Sequence, residues 1–599
     1  MGKLKSLLLP GESLLLLGES LLLLGALPCL AQTPDFVHDI APIVYQKCAP
    51  CHRPGESGPF SLITYTDVKK HALQIADLTR RRFMPPWLPE PGYGDFQDEL
   101  RLTDAQIKTI ADWAGAGAPE GPTDETPPPP HFTEGWQLGP PDLILQAPQP
   151  FTVPAEGSDV YWNFIFTATN QTPRWVRAIE IRPGNARLLH HANLYVDRAN
   201  SARRQETSPG AGFPGMDPVI ERSIFEPDDG HFLYWKPGTI PYSEGDGLAW
   251  RLDPGNDLVL NAHLQPSGKP EQLRPQIGLY FTDKPRQFYP MIVQLEHDGA
   301  LDIPPGARDF LVSDDFKLPM DVYVLAIYPH AHYLGKLLEA YATLPTGEKK
   351  WLIRIPDWNL AWQAVYRYRE PVLFPKGTVI SMRFHYDNST ANPRNPHDPP
   401  IRVQAGNQAT DEMAHLHLQV MPPGTRDRRL ELQEAVLRHR IEKYPDDPDA
   451  HLNAGAIRLA RLDPPGASVE LQEAVRLDSA NPESRNMLGS AMLALGRTSE
   501  AIAEFQIALK LRPDYENARY NLARALIKTG RLEEALSNFR EVVAAFPKDA
   551  AAHNGLGELL FMKGEYAEAV AQFDQAIALD PSSQIAKKNR ERAAEHLSK

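Results

Sequence analysis

Between residues 448 and 583 the chain repeats itself every 34 residues, and few sequence features leave so little choice of fold. Gly455, Gly489, Ala523 and Gly557 keep that spacing. So do Ala467, Ala501, Ala535 and Ala569, the glycines Gly496, Gly530 and Gly564, and the prolines Pro513, Pro547 and Pro581. Small residues in register let two antiparallel helices approach, a glycine ends the first helix of each pair and a proline closes the second. Several independent columns with one period predict four stacked helix pairs, with a lead helix before them and a capping helix after.

A 34-residue period of this kind resembles the tetratricopeptide repeat. The resemblance implies an α-solenoid over residues 425–599, with four repeats at about 448–583 and a concave groove for a protein or peptide partner. A stabilising or dimerising appendage is the alternative. The chain as a whole, at 599 residues, is too long for one core. Its 42% hydrophobic and 23% charged content is that of globular protein, and its net charge of −14 argues against nucleic acid or an anionic membrane surface as main partner. Residues 1–31 read as a signal peptide: Lys3 and Lys5, then leucine runs, then Gly25-Ala26-Leu27-Pro28-Cys29-Leu30-Ala31. A spanning helix is the rival, weakened by Glu12 and Glu19. Cleavage after Ala31 predicts a periplasmic or secreted protein with no transmembrane anchor.

Removing the leader leaves two cysteines, both in Cys48-Ala49-Pro50-Cys51-His52. CxxCH is the attachment spacing of c-type haem: both thiols bond the porphyrin and the histidine ligates iron. A zinc site would want a second ligand pair, and a dithiol a thioredoxin-like pattern; neither is present. Met84, ahead of Pro85-Pro86-Trp87, is the expected second axial ligand, with His38 and His71 as rivals. Residues 32–121 are helical in pattern, with an N-cap near Thr103 and an amphipathic stretch to Trp113. They resemble the small all-α class I cytochrome c fold. A proline-rich linker follows at 122–136.

From 137 to 424, short apolar runs alternate with Pro, Gly, Asn and Asp turns, which predicts β-sandwiches. This segment carries histidines at metal-ligand spacings. His190 and His191 are adjacent in an expected strand, so a bulge or sheet edge is needed for both to reach one ion. His263 offers a third imidazole, and three imidazoles suit copper or zinc. His330 and His332 share a strand face, and Met413 adds a thioether, a soft set that favours copper. His385 reads as a core or supporting residue. His131, His231, His297, His397, His439, His451, His553 and His596 read as exposed or internally bonded side chains.

His190-His191, His263, His330-x-His332-x-Leu334-Gly335-Lys336 and Asp411-Glu412-Met413 stand in the order found in the ascorbate-dependent type II copper monooxygenases, the peptidylglycine and dopamine hydroxylases. The resemblance implies two all-β, jelly-roll-like subdomains, 137–285 and 286–424, each holding one copper across a solvent cleft. It implies electron-transfer ligands in His190, His191 and His263, and oxygen-activating ligands in His330, His332 and Met413. Three departures stand out. The copper segment has no cysteine, where the family is disulfide-rich. Tyr328 replaces the arginine that holds a substrate carboxylate, and His415 and His417 replace Asn and Tyr. A glycine-ended peptide is therefore not the expected substrate.

These readings combine into an exported monooxygenase with one covalent haem c and two coppers. O2 and a small organic substrate would be consumed, and an electron donor protein or small reductant would act through the haem. The alternative is a non-catalytic electron-transfer or copper-binding protein whose repeats dock a partner.

Overall fold

The structure is a computed structural model that describes residues 33–597 apart from 57, 131, 133, 134, 158, 159, 221–229, 246, 548, 581 and 582. The leader at 1–31 with Cys29, the histidine His131 and the repeat proline Pro581 lie outside the described residues. Among the described residues no helix is long and apolar enough to cross a membrane.

The N-terminal unit is helical. The Asp35 carboxylate accepts from the His38 backbone N–H and starts a turn, Phe36–Ile40, that runs on into Ala41–Lys47. Short helices Tyr65–Lys70 and Ala72–Arg80 follow, and then Asp104–Gly115, where Thr103 and Gln106 cap each other's backbone N–H groups. Trp113 is fully buried among Phe36, Val44 and Ile110, and its indole N–H donates to the Pro119 carbonyl at 2.9 Å. Between the last two helices part of the chain leaves this core, to which Leu102 returns it. The Glu90 N–H donates to the Arg354 carbonyl at 2.8 Å, the Gln97 N–H to the Arg367 carbonyl at 2.8 Å, and Phe96 is buried against Tyr366 and Tyr368. The stretch that follows Met84 is therefore laid along the β region.

The middle of the chain is all-β and antiparallel, in two sandwiches. In the first, Leu143–Gln146, Gln276–Thr282, Arg174–Arg182 and Trp250–Leu252 form one sheet in that order. Phe213–Pro214, Val160–Thr167, Asp257–Leu264, Leu189–Asp197 and Tyr234–Trp235 form the other. Phe164, Phe166, Leu194 and Leu260 meet Val176, Ile181 and Leu279 between them. In the second, Met291–Glu296, His415–Met421, Val322–His330 and Tyr366–Phe374 face Phe310–Lys317, Val379–Tyr386, Gly335–Thr343 and Lys349–Ile355. A bulge between Val324 and Ala326 shifts the alternation along Val322–His330, so that Val322, Val324 and Ile327 all enter the core while Tyr328 and His330 lie on the opposite face.

The helix Arg429–Lys443 fastens the C-terminal part to the second sandwich. His439 Nε2 lies 2.7 Å and Lys443 Nζ 2.8 Å from the buried Asp314 carboxylate, and the Tyr444 hydroxyl donates to Glu296 at 3.0 Å. Four antiparallel pairs follow: Pro448–Ala460 with Pro464–Leu477, Pro482–Ala494 with Thr498–Leu511, Glu516–Lys528 with Leu532–Ala545, and Ala550–Met562 with Tyr566–Leu579. Gln584–Leu597 closes the stack. A Cβ on Gly489 would come within 2.7 Å of the fully buried Phe505 ring, and one on Gly557 within 2.7 Å of Phe573, so the small-residue column is set by helix approach.

Gly496, Gly530 and Gly564 turn the chain with φ of +78°, +74° and +82°. Leu462 stands at the equivalent place in the first pair, at φ +61° and 88% exposed. A β-carbon in that conformation is strained, and this side chain recovers nothing by packing. Leu462→Gly is expected to stabilise the solenoid by about 0.5–1 kcal/mol, the relief of strain less glycine's entropy cost. A rise in the urea midpoint of its unfolding checks this.

Candidate metal centres

Cys48, Cys51, His52 and Met84 line one cavity of about 540 Å³. The His52 Nδ1 lies 3.2 Å from the Phe60 carbonyl; since a carbonyl only accepts, Nδ1 carries the proton and Nε2 keeps its lone pair. Burial, chiefly, lowers the His52 pKa and keeps the ring in its neutral, ligating form. Burial also pushes the Cys48 thiol up to about 12 and raises Cys51. Among the described residues no third His, Cys, Asp or Glu closes around the thiol pair as a zinc site needs, so the pair fits thioether attachment better than zinc. A Cβ on Gly238, from the first sandwich, would meet the Cys51 sulfur at 2.8 Å. The residues present fit a c-type haem.

The rival axial ligands lie elsewhere. His38 bonds Asp35 at 3.0 Å and Glu125 at 2.7 Å on the exposed side of the unit, which raises its pKa to about 9. His71 stacks on Phe60 at 3.8 Å with Nδ1 3.1 Å from Gln74. Neither lines the cavity; Met84 does. The opposite wall comes from the β region: His190 and Gln265 from the first sandwich, Tyr333 and Trp362 from the second.

His190, His191 and His263 converge. Their candidate ligand atoms all lie within 4.8 Å of one another, with His190 Nδ1 at 3.1 Å from His191 Nδ1 and 3.3 Å from His263 Nδ1. Adjacent strand residues normally point to opposite faces, and the pairing shows how this is avoided. Leu189 pairs with Leu264 and His191 with His263, so His190 is the extra residue of a bulge. Tyr161, the other cross-strand partner of His263, stacks on it at 4.4 Å. Burial and the neighbouring His263, His190 and His332 hold the His191 pKa well below the ordinary value. Three imidazoles gathered this closely fit a borderline or soft divalent or monovalent ion such as copper. Among the described residues this is the one group of three or more His, Cys, Asp or Glu side chains gathered so closely.

His330 ends the strand Val322–His330, whereas His332 lies two residues beyond it and Met413 two residues before the strand His415–Met421, so the two histidines do not share a strand face as the spacing predicts. Tyr328 pairs with His417 and His330 with His415 across neighbouring strands, and Met413 precedes His415 by two residues. Tyr328, His330, His415 and His417 share one face, since cross-strand partners and alternate residues do. The His330 and His332 ring centroids are 5.2 Å apart. His330 Nδ1 donates to Gln363 Oε1 at 2.7 Å, and His332 Nδ1 to the Asp411 carbonyl at 3.0 Å, so both rings present Nε2. The backbone N–H groups of His332 and Met413 both donate to one oxygen of buried Glu412, at 2.8 and 3.2 Å, which ties the two ligand segments together.

The neighbouring histidines have other duties. His415 Nε2 lies 2.7 Å from Asp298, whose other oxygen accepts the Ala414 N–H at 3.1 Å. Burial takes the His417 pKa down to about 3. His385 lies on the opposite sheet and bonds Asp309 at 2.7 Å. Sequence reading missed Gln363, Tyr161 and Asp298 because nothing in their spacing marks them. Glu412 was visible inside its motif but without a role.

Models of the tetratricopeptide repeat match residues 492–537 and 520–584. No curated protein matches the chain. Similar solved structures include YrrB, described as a TPR protein with an unusual peptide-binding site, at 25% identity and a TM-score of 0.25 over 27% of this chain and 84% of that one. MamA follows at 22% identity and 0.24 over 28% and 91%, and pilF of Pseudomonas aeruginosa at 21% and 0.25 over 28% and 81%. The repeated helix pairs at the C-terminal end of this chain are tetratricopeptide repeats.

Proposed function

We propose that this protein is an exported, copper- and haem-dependent monooxygenase that hydroxylates a C–H bond of a small organic substrate. The helical unit is read as cytochrome c-like, and the two sandwiches as jelly-roll-like copper subdomains. When bound, haem c at Cys48, Cys51, His52 and Met84 would supply single electrons, copper at His190, His191 and His263 would pass them on, and copper at His330, His332 and Met413 would supply O2 chemistry. The observation that carries the reading is the wall shared by two sites: His190 belongs to the imidazole triad and also lines the CxxCH cavity. A purely structural histidine cluster would not need that position.

The chain's own residues do the positioning. Phe60 fixes the tautomer of His52, while Gln363 and the Asp411 carbonyl fix those of His330 and His332. Glu412 holds the His332 and Met413 segments in register. Tyr328 is half-buried and its hydroxyl donates to Gln363 at 2.8 Å, so it is committed to the scaffold rather than to a substrate carboxylate. The repeats are read as a docking arm for a protein or peptide partner.

Met84→Ala is expected to slow copper reduction by a donor acting through the haem by an order of magnitude, while small chemical reductants stay effective. Stopped-flow reduction with each reductant checks it; equal slowing by both routes counts against the haem path. Metal analysis with a haem absorption spectrum tests the cofactor content directly.

A further inference from the structure

Two aromatic rings, Tyr234 and Tyr328, connect the two imidazole sites. Tyr234 lies on a short edge strand paired to the strand of His190 and His191, through Asn193 and Ala192. Its ring centroid is 6.0 Å from His191 on one side and 5.7 Å from Tyr328 on the other. Tyr328 in turn stacks on His330 at 6.0 Å with planes 25° apart. Each step is an ordinary aromatic packing distance, and together they form an unbroken line of rings from one site to the other.

The bridge is anchored at both ends. The Gln419 amide, on the strand carrying His415 and His417, donates to the Gly230 carbonyl at 2.7 Å. The Leu194 N–H donates to the Leu233 carbonyl at 2.8 Å. The Tyr234 hydroxyl is buried and has no hydrogen-bond partner among the described residues. A buried unpaired hydroxyl is a cost that phenylalanine would avoid, so Tyr234→Phe should fold at least as well as wild type and isolates the ring.

We propose that Tyr234, through Tyr328, is the electronic bridge between the two sites, the route by which an electron crosses from the His190–His191–His263 centre to the His330–His332–Met413 centre. The inference rests on reading both sites as copper centres. In the step, Cu(I) at the first site is oxidised to Cu(II) and Cu(II) at the second is reduced to Cu(I). No bond breaks and no proton moves. The bridge is a contact of π systems, so it is the ring and not the hydroxyl that carries the function.

The test uses the full-length, copper-loaded, fully oxidised protein without O2 or substrate. It is reduced by flash-photoreduced flavin, and freeze-quench EPR follows the two Cu(II) signals. His263→Ala, which removes the first centre, measures direct reduction of the second. In Tyr234→Leu the first signal should decay at the wild-type rate while the second slows by an order of magnitude, to the rate seen in His263→Ala. Tyr234→Phe should match wild type at both. The bridge is overturned if Tyr234→Leu leaves the second decay unchanged, if Tyr234→Phe is as slow as Tyr234→Leu, or if wild type is no faster than His263→Ala. Absence of two Cu(II) signals in the wild type would instead remove the copper reading itself.

Discussion

Alanine at His330 is expected to abolish O2-dependent product formation, lowering it by at least about 100-fold, the upper loss known for removing a mere supporting residue of a metal ligand. Copper at the imidazole triad should be retained, so that bound copper falls by half rather than to nothing. The selectivity follows from the packing. His330 lies at the end of its strand, on the face away from the core, and its Nδ1 partner Gln363 keeps a second donor in Tyr328. Removing the ring therefore leaves no buried acceptor unpaired and leaves the sandwich core untouched. Oxygen uptake coupled to a hydroxylated product, compared between wild type and His330→Ala at equal haem content, checks it. Uptake that persists in the variant would sink the oxygenase reading and leave the electron-transfer alternative standing.

The second large effect belongs to the thiols. Replacing both Cys48 and Cys51 by serine should eliminate the covalent haem, read as complete loss of the haem-staining band on a denaturing gel. The helical unit should also become labile. At ~24 cal/mol per Å³, a cavity of 540 Å³ left dry would cost about 13 kcal/mol, which matches the whole stability of a typical domain, about 5–15 kcal/mol. Water entry would lower that cost, yet even a fraction of it is large for a unit whose core is little more than Phe36, Val44, Ile110 and Trp113 with their neighbours. Limited proteolysis should therefore cut the double variant within residues 33–121 while the β region and repeats survive. A dithiol or zinc site at the same residues predicts loss of a thiol titre or of zinc instead, with no change in the visible spectrum.

Much of the architecture was legible because its signals are local. The 34-residue columns predict the helix pairs almost to the residue, since helix approach and turn geometry each need a particular residue type at a fixed offset. The same holds for the bulge at His190, which follows from two neighbouring imidazoles having to share one face. The capping of Asp104–Gly115 was likewise written in Thr103 and Gln106. Other parts were not legible. The stretch after Met84 reads as an internal loop of a small helical unit, yet it adds backbone hydrogen bonds to strands some 270 residues away, as in Gln97 to Arg367. Gln363 and Asp298, which orient His330 and His415, have no motif at all.

By itself the sequence determined which chemical groups are available and which local shapes carry them: a thiol pair with its histidine, imidazoles on strands, and a repeating helix pair. Spacing along a chain is enough for that, because covalent geometry and secondary-structure periodicity act over a few residues. Only the tertiary structure decided that His190 borders the CxxCH cavity, that Gln363 and the Asp411 carbonyl settle two tautomers, and that Tyr234 packs between His191 and Tyr328. Those relations join residues with no fixed separation in sequence, and they come from burying three apolar cores against one another, a balance taken over the whole molecule that no short stretch of chain contains.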